Sequence, residues 1–143
     1  MRTETSATTT LEDTKVNVKL KLAALWSSLM FLYIYIDYFH LYMPEALASI
    51  QAGRVHVFDI RQEFIMIAFT FMSIPSLMIF LSVGLPPKVN RWVNIIVAAI
   101  FIPFTLYNLD GVAWPHMIFA AAVEVALLAL IIRYAWLWPR TAA

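Results

Sequence analysis

The stretch VAWPHMIFAAAVEVALLALIIRYAWLW, residues 112–138, decides how the rest of the chain is read. Roughly 20 apolar residues cross a bilayer as a helix, and this run has that length, with Glu124 close to its middle. A carboxylate near the midplane costs about 2.5–3.5 kcal/mol on insertion scales. Such a residue does not face lipid. Glu124 must point into protein, find partners there, or carry a proton.

Three further runs of this kind lie upstream. The first span runs from about Leu20 to Tyr42, is rich in aromatics and holds the second intramembrane acid, Asp37. Tyr33, Asp37 and His40 share one face of it by four-then-three spacing. The second, Phe64 to Leu85, has no charged residue; Ser73, Pro75 and Ser76 sit at its centre. A proline there frees a carbonyl for a hydroxyl or a neighbouring helix to satisfy, and a kink near Pro75 is expected. Pro86-Pro87 ends this span, and Lys88 to Arg91 reads as a tight basic turn. The third span, Trp92 to about Leu109, carries Pro103, Thr105 and Asn108, with Asp110-Gly111 as a turn signal after it.

The connecting segments are short. Pro44 to Gly53 reads as a brief interfacial helix with Pro44 in its first turn and Glu45 near its N-terminus. Arg54 to Glu63 is the one sizeable polar loop, and its charges are expected to be solvated. Residues 1–13 are polar and Thr-rich with no apolar period, which reads as a frayed tail and not a signal peptide. Thr14 to Lys21 alternates apolar and polar residues; the basic foot of a helix is favoured over a short strand.

Composition agrees with a membrane protein. Of 143 residues, 62% are hydrophobic and 13% charged, against about 45–50% and about 25% in soluble domains; mean hydropathy is +0.77. The absence of Cys excludes disulfides, thiolate metal sites and cysteine nucleophiles. No basic patch interleaved with aromatics points to nucleic acid. Lys15, Lys19, Lys21, Lys88, Arg91, Arg133 and Arg140 fall on the side of the termini, against Arg54 and Arg61 opposite. The positive-inside rule therefore predicts both termini in the cytoplasm.

The blocks KLAALWSSLMFLYIYIDYFHLYMPEAL (Lys21 to Leu47), IPSLMIFLSVGLPPKVNRWVNII (Ile74 to Ile96) and RYAWLWP (Arg133 to Pro139) resemble a family of bacterial four-helix membrane proteins designated a domain of unknown function. The likeness spans nearly all of the chain after the tail. It implies four helices and no established activity, so it transfers no functional residue. In size and helix count only, the chain is also similar to the DoxX-like membrane proteins.

The expected fold is an all-α membrane protein: a four-transmembrane-helix bundle with a short outer interfacial helix and both termini cytoplasmic. Residues 1–19 form a polar tail and residues 20–140 a single domain. Site candidates are Glu124, Asp37, Tyr33, His40, Ser73, Ser76, Thr105 and Asn108. For Glu124 two readings compete: an acid tying its helix to a Ser or Thr on another, or a proton or cation site. Asp37 lies about 9 Å outward of the centre of its span, on a rise of 1.5 Å per residue. Direct pairing with Glu124 is not expected, whereas lining one cavity is. Arg133, about 13 Å inward of Glu124 on the same rise, is expected to snorkel.

His40, His56 and His116 lack ligand spacing, so no metal site is expected. The residues identify no cofactor and no catalytic constellation. The leading expectation is a membrane protein that binds or passes a small molecule or ion through an interior polar site, as a homo-oligomer in the lipid bilayer. The alternatives are an accessory subunit of a larger membrane complex and, more weakly, a quinone-linked membrane oxidoreductase.

Overall fold

The computed structural model describes residues 14–111 and 113–139. Helix α1 spans Val18–His40 and starts where Asn17, in extended conformation, accepts a hydrogen bond from the Lys19 amide. A side-chain oxygen at that position satisfies one of the donors a helix start leaves open. The helical-foot reading of Thr14 to Lys21 is therefore the right one from Val18 onward. Helix α2, Ala46–Gln51, follows, with Glu45 as its N-cap in a left-handed conformation (φ 68°). Pro44 thus lies before this helix and not in its first turn.

The polar loop contains a small ladder that periodicity did not signal. Strands β1 (Arg54–Val55) and β2 (Phe58–Asp59) pair antiparallel, with His56 at φ 53° in the turn. Two residues per strand are too few for an alternating pattern to register. Asp59 accepts from Arg61 and also faces Arg54, at 3.4 and 3.8 Å, in an exposed cluster.

Helix α3 (Gln62–Gly84) runs on through a buried Pro75. Ser73 and Ser76 donate to the carbonyls of Phe69 and Met72, neither of which is the one Pro75 leaves without a donor, four residues before it. Helix α4 (Pro87–Tyr107) begins five residues ahead of the expected Trp92. Lys88 to Arg91 is not a tight turn but the first turn of this helix. Pro87 occupies N1, where a missing N–H costs nothing and the ring's φ already suits a helix. Helix α5 (Pro115–Trp136) starts on a proline in the same way; the expected start at Val112 lies outside the described residues.

Contacts between the helices show alternating directions. Lys19 at the start of α1 donates to the carbonyls of Val83 and Leu85 at the end of α3, at 3.0 and 2.8 Å. Trp92 at the start of α4 meets Trp136 at the end of α5, with ring centroids 6.4 Å apart. Helix α1 packs against α3 and α5, and α4 against α5, while α3 and α4 touch more sparingly. Helices α1 and α4 run parallel and face each other across the centre, joined by Trp26–Asn94 and Tyr33–Thr105.

The core is built from one face of each long helix. Leu22, Trp26, Leu29 and Tyr33 of α1 meet Met78 of α3, Ala98 and Phe101 of α4, and Leu128, Ile131 and Ala135 of α5. Burial stops at a common level: on α1 after Tyr33, on α4 after Thr105, on α5 before Ala121 and on α3 before Pro75. Beyond it Asp37 and His40, which continue the inward stripe of α1, are exposed, as is Asn108 on α4. The bundle is tightly packed at its Lys- and Arg-rich end and loose at the other.

Candidate functional site

At the last closed level of the bundle three helices bring Tyr33, Thr105 and Glu124 together. The Tyr33 and Thr105 hydroxyls lie 3.1 Å apart in a buried hydrogen bond. Thr105 also neighbours the Glu124 carboxyl. Glu124 is only 4% exposed, and its Oε1 has no hydrogen-bond partner. A buried polar atom without a partner costs about 1–3 kcal/mol, more when charged. Such a group is kept for stability only if something repays that cost.

Local sequence explains how the three meet. Ala121, one turn before Glu124, is buried and small, which lets a neighbouring helix approach closely. Four rings close the layer from the side of α3 and α4: Tyr33 lies 6.3 Å from both Phe101 and Phe104, and Phe71 lies 4.7 and 4.9 Å from the same pair. Asp37 sits one turn beyond Tyr33 on the same face of α1. His40 follows one turn further out, and both are exposed.

The other candidates lie elsewhere. Ser73 and Ser76 bond within their own helix and line a groove between α1 and α3 of about 480 Å³, where Ser76 also approaches the Met30 sulfur at 3.7 Å. Asn108 is the exposed C-cap of α4. A second open cleft of about 330 Å³, lined by Phe39, Tyr42, Met43, Trp114 and His116, lies at the loose end. Among the described residues no three His, Asp or Glu side chains gather as a metal-binding group.

Sequence reasoning missed a second polar cluster. At the basic end Asn90, Asn94, Ser82 and Trp26 are all fully buried. Asn94 Oδ1 accepts from Trp26 Nε1 at 2.7 Å and from Ser82 Oγ at 3.2 Å. Its Nδ2 donates to the Asn90 backbone and side-chain oxygens at 2.9 and 2.6 Å, and Asn90 Nδ2 donates to the Ser82 carbonyl at 2.6 Å. This cluster ties α1, α3 and α4 with its amide groups satisfied. Two asparagines four apart on an apolar helix were the available signal.

Residues 11–143 match a family described as a family of unknown function, DUF6326. The chain belongs to DUF6326. The resemblance carried by the blocks Lys21 to Leu47, Ile74 to Ile96 and Arg133 to Pro139 is thereby borne out. No curated protein and no solved structure matches the chain. Its four long helices are each apolar enough to cross a membrane, and by that length and composition this DUF6326 member is a small multi-pass membrane protein.

Proposed function

We propose that the protein binds or passes a small molecule or ion through an interior polar site that opens outward around Asp37 and reaches Glu124. It sits in the bacterial cytoplasmic membrane as a single domain that begins with α1 at Val18, two residues before the expected boundary at residue 20, behind a polar tail. Both termini face the cytoplasm. The excess of Lys and Arg at the end of the bundle where α1 starts and α5 finishes supports that orientation.

One observation carries the reading: the Glu124 carboxyl is buried beside two hydroxyls with one oxygen unpartnered, at the floor of the loosely packed end. An acceptor held in that way is ready for a proton, a cation or a donor group on a ligand. Four helices make a thin wall for a pathway, so a homo-oligomer is part of the proposal. Glu124→Gln keeps shape and removes the charge. It is expected to abolish pH-dependent binding or flux in proteoliposomes while helicity and melting persist. Undiminished flux in that variant would make Glu124 an interhelical tie and favour an accessory role in a larger complex.

A further inference from the structure

The basic end holds a group of cations that the proposed site does not use. Arg91, on the first turns of α4, has its guanidinium carbon 5.6 Å from the Trp92 ring and 5.1 Å from the Trp136 ring. Its Nε is buried and finds no acceptor. Lys88 lies one turn earlier on the same face of α4, and Arg133 one turn before Trp136 on α5, both exposed. The ion pairs among the described residues both involve Asp59 in the hairpin at the opposite end. Asp37, Glu45, Asp59, Glu63 and Asp110 all fall toward that opposite end, and Glu124 sits within the bundle. Among the described residues, then, the basic end has no acid to balance it.

We propose that Lys88, Arg91 and Arg133, braced by Trp92 and Trp136, form a headgroup site for an anionic phospholipid on the α4–α5 seam. Both indoles lie within cation–π range of the guanidinium, their planes 87° apart, and pin it at the seam. A planar fork of donors is suited to two oxygens of a phosphate. The seam lies at the end of four apolar helices, at the depth where headgroups and interfacial tryptophans are found. That depth favours a lipid phosphate over one free in solution. A zwitterionic headgroup brings its own ammonium, which three cations with no acid beside them among the described residues repel; an anionic one does not.

The test presents the full chain in mild detergent with equal amounts of phosphatidylglycerol and phosphatidylcholine, and counts retained lipids by native mass spectrometry. The wild type is expected to retain phosphatidylglycerol in excess. Arg91→Gln should lower that preference about fivefold, the effect of one cation near a charged surface. Lys88→Gln, at an exposed side chain that leaves the packing untouched, should lower it in the same direction. Arg54→Gln, at the opposite end, should leave it unchanged.

Equal retention of the two lipids by the wild type would overturn the proposal. So would an unaltered preference in both Arg91→Gln and Lys88→Gln, or an equal loss in Arg54→Gln. Excess inorganic phosphate should leave the adducts in place; displacement would make this a site for a soluble anion instead.

Discussion

The two buried polar clusters follow opposite rules. At the basic end, Asn90, Asn94, Ser82 and Trp26 exchange hydrogen bonds until the amide groups are satisfied. At the last closed layer, Tyr33 and Thr105 satisfy each other while Glu124 keeps an oxygen without a partner. Both are more than nine-tenths buried, so burial does not separate them. Completeness does. A satisfied network rigidifies the packing around it, whereas a half-satisfied one costs stability and is retained for something else. The first cluster holds the bundle together, and the second is where binding is proposed.

Substitutions can break or sharpen this contrast. The largest effect is expected for Asn94→Leu, which orphans the Trp26 indole N–H, the Ser82 hydroxyl and the Asn90 side-chain oxygen together. Reversible unfolding in bicelles should register a loss of about 2–3 kcal/mol. A loss of only a few tenths would mean that the network does not hold the bundle. Asn90→Leu removes fewer partners and should cost about 1–2 kcal/mol in the same assay.

Smaller effects belong to the other layer. Tyr33→Phe breaks a single interhelical hydrogen bond and should cost about 0.6 kcal/mol, the average for such bonds within a membrane. Glu124→Gln should change stability least among the buried positions, within about 0.5 kcal/mol, because the carboxyl already lacks a full set of partners. It should also have the largest effect on binding or flux. A cost for Glu124→Gln as large as that of Asn94→Leu would erase the distinction. Ser76→Ala, on a hydroxyl bonded within its own helix, should lie within about 0.5 kcal/mol of wild type.

Much of the architecture was legible in the sequence because a bilayer permits few solutions. Long apolar runs must be helices, since no water is present to satisfy exposed backbone. On α1 the sequence marked the face of Tyr33, Asp37 and His40, of which only Tyr33 is buried; Leu22, Trp26 and Leu29 continue that face into the core. Helix ends were less legible. Lys88 and Arg91 read as a turn because charges usually mark the end of a span, yet Pro87 starts the helix ahead of them. The hairpin at Arg54–Val55 and Phe58–Asp59 was too short to leave a periodic trace.

The candidate site divides along the same line. Sequence alone singled out Glu124, since a carboxylate in a span demands an explanation, and it selected Tyr33 and Thr105 among several hydroxyls without ranking them. Hydroxyls in a helix can bond to their own backbone one turn back, as Ser73 and Ser76 do, or reach across the bundle. Nothing in the local sequence distinguishes the two.

Composition, apolar run length and the distribution of Lys and Arg determined that this chain is a multi-pass membrane protein with four runs apolar enough to cross, and which end of it is basic. Only the tertiary structure decided which polar residues meet: Tyr33 with Thr105 beside Glu124, and Asn94 with Trp26. The physical reason is that a span is selected by the free energy of transfer from water, a sum over its own residues. A hydrogen bond between helices depends on the rotation and depth of both, and these are set by how all four pack.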